Sequence, residues 1–112
     1  MILNDGQDNK AVKVKDALEQ LTKAGAIPEI IVAGVIAGDR MQEYGVSLKS
    51  DYMKRGSKGK NYSKYVVTEL LPYLLYRYPI HAEAAQHAIA GYSMGGLSAL
   101  DITWNHPKVF QK

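Results

Sequence analysis

The sequence GYSMGG at Gly91–Gly96 places a serine between glycines, at the point where a strand-like pattern changes into a helix-like one. The apolar run Ala88–Ala90 precedes it, and apolar residues at helical spacing follow it from Met94 onward. This order predicts a strand, a sharp turn and a helix, with Ser93 on the turn and its hydroxyl clear of the backbone. The alternative is a plain glycine turn in front of a helix.

The neighbours of the serine in this turn are Gly91, Tyr92, Gly95 and Gly96. Glycines are expected beside Ser93 because side chains there would crowd the turn and the passing strand. Met94 would begin the helix, and the N–H groups at a helix start have no partner within the helix. We therefore predict Ser93 as a nucleophile and the Met94 N–H as a donor to an oxyanion.

The composition is that of one globular domain, with 112 residues, 46% hydrophobic and 22% charged. No apolar run reaches the roughly 20 residues that span a bilayer, so no membrane span is expected. No signal peptide is visible either, which leaves a cytoplasmic and a periplasmic or secreted location open. Cysteine is absent, so disulfides and cysteine-based metal sites are excluded.

Strand-like and helix-like patterns alternate along the chain. In order they are a strand at Ile2–Leu3, a helix at Lys10–Ala24, a strand at Ile30–Ile36, a helix at Tyr62–Tyr78, a strand at His87–Ala90 and a helix from Met94. This alternation predicts the α/β class, with a parallel sheet and right-handed crossover helices. The second and third strands should then be neighbours, since successive strands commonly are.

Three further expectations accompany these elements. The residues of Ile30–Ile36 are apolar on both faces, which is typical of a strand covered by helices on both sides. Pro72 should kink or interrupt the helix Tyr62–Tyr78, whose tyrosines are expected to pack with wet hydroxyl tips. The segment Gly38–Lys60 has no apolar period and is predicted as a long loop.

The net charge is only +3, and the basic residues cluster between Lys49 and Lys60. Such a cluster could meet an anionic substrate or a nucleic acid, or it could be a solvated face. No aromatic residues are interleaved in the manner of nucleic-acid binding, so we expect a solvated face and no nucleic-acid partner.

Four stretches together match a known group of proteins. They are Leu3–Gln7, Ile27–Val32, Asp39–Tyr44, and Glu69–Tyr73 followed by Gly91–Gly96. With them the chain resembles part of the α/β-hydrolase fold, and within it the esterase group of enterochelin esterase, feruloyl esterases, S-formylglutathione hydrolase and mycolyltransferases. The stretches cover nearly the whole chain, and Arg40, Glu43 and Tyr44 are more selective for this group than the serine turn.

That group is considerably longer than 112 residues, and in this fold the catalytic triad runs serine, acid, histidine along the chain. Only Leu97–Lys112 follow the start of the last helix, which is too few for the strands that carry the acid and the histidine. We therefore expect residues 1–112 to be a single partial domain, with both ends of the complete domain missing. The isolated chain is expected to be inactive.

The loop after the first strand holds the second candidate oxyanion donor. Gly6 and Gln7 lie where this fold draws a backbone N–H toward the oxyanion, although an ordinary turn is an equal alternative. Arg40 and Glu43, with Asp39, could form an ion pair beside the site that shapes the substrate pocket, or a solvated loop.

The other candidates for triad members fit poorly. His81, His87 and His106 all lie outside the required order of serine, acid, histidine, and we expect them to be structural or solvated. Asp101 follows Ser93 by about two helical turns, so it should point away from the serine and is not a convincing triad acid.

The resemblance implies a serine carboxylic-ester hydrolase that acts on a small-molecule ester through an acyl-enzyme on Ser93. It implies no metal and no organic cofactor, and it leaves the oligomeric state open. One alternative is an acyltransferase on the same scaffold, in which an alcohol replaces water. The other is a non-catalytic binding module that keeps the serine turn as a relic.

Overall fold

The computed structural model describes all 112 residues. The elements are β1 (Ile2–Asn4), α1 (Val14–Lys23), β2 (Ala33–Val35), α2 (Arg40–Glu43), α3 (Gly59–Tyr65), α4 (Leu71–Arg77), β3 (Ile89–Ala90) and α5 (Met94–Asn105). Short 3₁₀ turns lie at Gly6–Asp8 and Ala84–Gln86, and a π-helical segment lies at Val66–Leu70. The predicted class, a parallel sheet with helices between its strands, is confirmed. None of the helices is long and apolar enough to cross a membrane.

The first strand occupies the centre of the three-stranded sheet, whose order is β2-β1-β3. Ile2 lies opposite Ala33 on one side and opposite Ile89 on the other, and both pairings are parallel. The prediction that the second and third strands are neighbours is therefore wrong. β1 separates them because it is buried along its whole length and bonds along both edges.

The second strand is shorter and more exposed than its apolar sequence predicts. Only Ala33–Val35 pair with β1, and the side chains of Ile30, Ile31 and Ile36 are 41%, 40% and 71% exposed. β2 is an edge strand, and within these residues it is not covered by helices on both faces as predicted.

Helical structure runs without interruption from α3 through the π-helical segment into α4, and it begins three residues before the predicted Tyr62. Pro72 takes the second position of α4. Proline lacks an N–H and collides with the carbonyl four residues earlier, so it disturbs a regular α-helix. The wider π-helical turn directly before it accommodates this defect, and the helix changes type at Pro72 instead of breaking.

Two other boundaries differ from the sequence-based expectation. α1 begins at Val14 and not at Lys10, because Lys13 has a φ of 52° that interrupts the helix. The segment Gly38–Lys60 is not one long loop, since α2 forms within it and α3 begins near its end. Gly45 ties this segment to α5, because its N–H donates to the Ser98 hydroxyl and its carbonyl accepts from that hydroxyl.

The hydrophobic core is small for a chain of this length, because only 20 of the 112 residues are buried. It is formed by Ile2, Tyr44, Tyr62, Val66, Leu71, Leu74, Ile89, Ala99, Ile102 and Phe110. On α5, Leu97, Leu100 and Trp104 are 45%, 64% and 81% exposed, so one apolar face of this helix lies outside the core.

Candidate active site

Ser93 lies on the turn between β3 and α5 with a φ of 50° and a ψ of −123°. Positive φ is rare for residues other than glycine and costs of order 1–3 kcal/mol, so the surrounding structure must hold it in place. The side chain of Ser93 is exposed. The strained turn that the sequence predicts is confirmed, and a catalytic role for Ser93 stays a prediction.

The glycines around Ser93 are required by close contacts with neighbouring atoms. A Cβ on Gly91 would lie 2.5 Å from the carbonyl carbon of Gly95 and 2.6 Å from its oxygen. A Cβ on Gly95 would lie 2.8 Å from Asp5 Oδ2, and one on Gly96 would lie 2.9 Å from the Gly91 oxygen. These distances leave no space for a side chain: backbone closes around Gly91 and Gly96, and the Asp5 carboxylate packs against Gly95.

We expect Gly91→Ala to destabilise the complete protein by about 3 kcal/mol, because the new methyl group meets backbone that cannot rotate away. Gly25→Ala is the matched control, since Gly25 has a φ of 68° but no atom within 4 Å of the added Cβ. Gly25→Ala should lower the free energy of unfolding only by the strain of a left-handed conformation, about 1 kcal/mol. The measurement is chemical unfolding of both variants, and equal losses would contradict the packing role of Gly91.

The start of α5 presents a backbone N–H beside the serine. The N–H groups of Gly95 and Gly96 both donate to the Tyr92 carbonyl, at 2.8 and 3.2 Å. Met94 is the first residue of α5, so its N–H has no carbonyl one turn earlier in the helix to bond with. It is therefore placed like an oxyanion donor, and that role stays a prediction.

Gly6 and Gln7 lie in the 3₁₀ turn that follows β1, the strand next to β3. The two strands are parallel and about 4.8 Å apart, so the turn after β1 and the serine turn both lie at the carboxyl-terminal end of the sheet. A Cβ on Gly6 would lie 2.6 Å from the Gly34 carbonyl carbon, which explains the glycine by packing. The structure brings the predicted residues to one edge, and their role as donors stays a prediction.

A buried network of polar side chains packs against the serine turn, and the sequence pattern did not predict it. Asn4 Nδ2 donates to the Gly95 carbonyl at 2.7 Å, and the Tyr62 hydroxyl donates to Asn4 Oδ1 at 2.5 Å. The Tyr44 hydroxyl accepts from the Asp5 N–H at 3.0 Å. The expectation of a wet hydroxyl tip is wrong for Tyr62, and burial raises the pKa of its hydroxyl. The only sequence signal was a polar residue, Asn4, directly after a buried apolar pair.

We expect Tyr62→Phe to destabilise the protein by about 1–3 kcal/mol, since it leaves the buried Asn4 Oδ1 without a donor. Tyr76→Phe should have no effect, because Tyr76 is 89% exposed. Thermal unfolding of the two variants is the measurement. Equal stability of Tyr62→Phe and the parent would show that the Tyr62–Asn4 bond contributes nothing.

The same bond predicts a pH dependence. Because the pKa of Tyr62 is raised in the folded state, the folded protein keeps this proton at a pH where the unfolded chain releases it, above about 10. The contribution of Tyr62 to stability is therefore complete below about pH 10 and is lost as the pH rises further. The parent should lose more stability than Tyr62→Phe between neutral and strongly alkaline pH, and parallel curves would contradict this.

The ion pair expected among Asp39, Arg40 and Glu43 does not form, because Arg40 pairs with Asp5 instead. Arg40 donates from Nε to Asp5 Oδ1 at 2.8 Å and from Nη2 to Asp5 Oδ2 at 3.1 Å. The hydrogen bond to Asp5 raises the pKa of Arg40. Glu43 is not part of this pair, because its carboxylate accepts from the Gly38 N–H at 3.1 Å, and Asp39 makes no ion pair.

Two open cavities on the surface of the chain are not lined by Ser93. The larger, about 830 Å³, lies between α1 and residues 29–32 and contains none of the predicted site residues. The smaller, about 330 Å³, lies beyond the end of β2 and is lined by Glu43, Lys58 and Tyr65 among others. Glu43 lines the smaller cavity and Arg40 does not, and the pocket role of both residues stays a prediction.

Two of the three histidines make hydrogen bonds away from Ser93, as expected for structural residues. The ring nitrogens of His87 lie 3.0 Å from the Val109 carbonyl oxygen and 2.7 Å from that of His81. His106 Nε2 lies 3.1 Å from the Ser63 hydroxyl. Neither ring is therefore available to bond with the serine in this arrangement.

The remaining candidates for a triad are also placed elsewhere. His81 is exposed, 3.8 Å from Glu83. Asp101 Oδ2 accepts from the N–H of Ser47 at 2.9 Å and from its hydroxyl at 2.5 Å, which ties the loop after α2 to α5. No group of three or more His, Cys, Asp or Glu side chains is placed to hold a metal ion.

The parallel sheet, the helices between its strands and the strained serine turn define the α/β-hydrolase class. The chain belongs to the Esterase family, since the model of that family, described as Putative esterase, matches residues 1–112.

Two solved structures are similar to the chain. The enterobactin esterase from Shigella flexneri, crystallised in the presence of 2,3-dihydroxy-N-benzoylglycine, superposes with a TM-score of 0.78 at 26% identity. A ferulic acid esterase superposes with a TM-score of 0.68 at 25% identity. Each comparison covers 97% of this chain, but the chain spans only 27% of the first protein and 41% of the second. No curated protein matches the chain.

Proposed function

We propose that the complete protein is a serine carboxylic-ester hydrolase whose nucleophile is Ser93. The observation that carries the proposal is the backbone of Ser93, which has a φ of 50° on an exposed turn at the start of a helix. A strained turn of this kind presents the hydroxyl to a substrate and keeps helix N–H groups beside it. Membership of the Esterase family supports an ester as the substrate.

In the proposed reaction, Ser93 Oγ attacks the ester carbonyl carbon and loses its proton to a histidine base. The carbonyl oxygen becomes an oxyanion, which accepts hydrogen bonds from the Met94 N–H and from an N–H of Gly6 or Gln7. The base then returns the proton to the leaving alcohol, and an acyl group stays on Ser93. Water activated by the same base hydrolyses this acyl-enzyme and frees the serine.

We place the histidine base and its acid outside residues 1–112. Two facts support this assignment. His87 and His106 are bonded to other groups and His81 is exposed beside Glu83, so none of them is bonded to Ser93. The two esterases of known structure described above are also much longer than this chain.

Esters of aromatic acids are the substrate class that we propose to test first. The names of the two solved structures refer to enterobactin and to ferulic acid, and the first was crystallised with a dihydroxybenzoyl compound. At 26% and 25% identity these names guide the choice of assay and do not fix the ester.

The test is hydrolysis of an aromatic-acid methyl ester by the complete protein, with and without an added acceptor alcohol. Release of the free acid in both mixtures is the expected result for a hydrolase. Conversion mainly to a new ester when alcohol is present would identify an acyltransferase. No turnover of any activated ester would favour a binding module and would overturn the proposal.

A further inference from the structure

Asp5 connects the two segments that the proposed reaction needs. It follows β1 with a φ of 59° and directly precedes Gly6 and Gln7, the candidate loop for the oxyanion. Its Oδ2 lies only 2.8 Å from the position that a Cβ on Gly95 would take, so the carboxylate packs against the first turn of α5. Asp5 is thus in contact with both sides of the site while its side chain is only 1% exposed.

Arg40 also connects the loop after β1 with the serine turn. It donates two hydrogen bonds to the Asp5 carboxylate, and its Nη2 also lies 3.5 Å from the carbonyl oxygen of Tyr92, the residue before Ser93. The Gln7 side chain adds a third donor to Asp5, from Nε2 to Oδ1 at 3.1 Å. One guanidinium group therefore bridges the loop after β1 and the serine turn.

We propose that Asp5 and Arg40 are positioning residues that hold the Gly6–Gln7 loop at a fixed distance from Ser93 and Met94. The inference rests on the proposed function, because these N–H groups must be held together only if they bind one oxyanion. A two-point guanidinium–carboxylate pair fixes orientation as well as distance, since both groups are planar. Oxyanion donors must lie within about 2.7–3.1 Å of the oxyanion, which makes their spacing critical.

Two of the three guanidinium nitrogens of Arg40 are bonded within the protein. The Nε and Nη2 donors are both engaged, with Asp5 and with the Tyr92 carbonyl. A misplacement of about 1 Å in a catalytic group can cost a factor of about 10² in rate without loss of substrate binding. Removal of Arg40 should therefore lower kcat and leave KM nearly unchanged.

The experiment measures kcat and KM for an aromatic-acid ester in the complete protein, together with thermal stability. Arg40→Ala should lower kcat by about 10²-fold, and Arg40→Lys by about 10-fold, because lysine keeps the charge but cannot pair at two points. Added guanidinium at a concentration well below that which denatures should restore part of kcat for Arg40→Ala and none for Arg40→Lys. Asp51→Asn is the matched control, since it breaks the exposed Arg55–Asp51 pair of 2.6 Å.

The outcomes separate this inference from the proposed function. Loss of kcat with guanidinium rescue, and full activity of Asp51→Asn, would support it. Unchanged kcat in a less stable Arg40 variant would make the pair purely structural, and a raised KM with unchanged kcat would make Arg40 a substrate contact. Either result would overturn the inference while Ser93→Ala still abolished activity. Activity that survives Ser93→Ala would overturn both. If Arg40→Ala does not fold, Arg40→Lys tests the inference instead: a lower kcat with unchanged KM would support it, and an unchanged kcat would overturn it.

Discussion

Replacement of Ser93 by alanine in the complete protein is expected to lower kcat for ester hydrolysis by about 10⁴- to 10⁶-fold. The substitution removes the oxygen that we propose as the nucleophile, so no acyl-enzyme should form. Alanine still has to adopt the φ of 50°, so the turn itself should remain. KM should change little, because Ser93 contributes to the bond being made and hardly to binding.

Ser57→Ala is the control for this experiment. Ser57 lies in an exposed loop, where its hydroxyl donates to Gln42 Oε1 at 2.6 Å. Its removal should leave kcat and KM within about twofold, since it touches none of the site residues. Ester hydrolysis that persists at the parental rate in Ser93→Ala would remove Ser93 from the mechanism altogether.

The isolated chain of residues 1–112 is expected to hydrolyse an activated aryl ester at or near the background rate. Serine attack needs a base and an acid to orient it, and no histidine of the chain is bonded to Ser93. An enzyme that has lost a triad member keeps a rate enhancement of only about 10³–10⁴ over the reaction in water, and even this needs an intact fold. With 20 buried residues and an open edge at β2, the isolated chain has little to stabilise it.

The measurement compares aryl-ester release by the isolated chain, the complete protein and complete Ser93→Ala. Circular dichroism of the isolated chain shows whether it is folded in the assay. Turnover of the isolated chain at the rate of the complete protein would mean that His81, His87 or His106 is the base after all. Such a result would also contradict the placement of the triad acid and histidine outside residues 1–112.

The serine turn and the alternation of strands and helices could be predicted because their signals are local. Gly91 and Gly95 lie within two residues of Ser93, and the structure explains Gly91 by backbone contacts with Gly95 and Gly95 by contact with the Asp5 side chain. The apolar run before the turn and the helical spacing after it are also local patterns. Local patterns therefore identified the turn, its strand and its helix together.

The support beneath the turn could not be predicted, since its members are distant in sequence. Asn4 and Gly95 are 91 residues apart, Tyr62 and Asn4 are 58 apart, and Arg40 and Asp5 are 35 apart. A lone sequence contains no signal for such pairs. The same limit applies to the central position of β1, because a three-residue strand has no pattern that distinguishes the centre of a sheet from its edge.

The exposure of Ile30–Ile36 shows a second limit. Apolar residues on both faces correctly indicated a strand, but burial depends on which other segments cover it. Within residues 1–112 the segment around β2 is not covered by helices on both faces, and Ile36 beside it is 71% exposed. The sequence pattern therefore predicted the type of the element, but it contains no information on which segments cover that element.

The covalent adduct that an aryl fluorophosphonate forms with the complete protein identifies the nucleophile directly. Attack by a serine oxygen forms an oxygen–phosphorus bond and releases fluoride, while the base takes the serine proton. Peptide mapping by mass spectrometry should find one phosphonyl group on Ser93, with activity lost in proportion to labelling. An adduct on another residue, or complete inhibition with Ser93 unmodified, would contradict the assignment of Ser93 as the nucleophile.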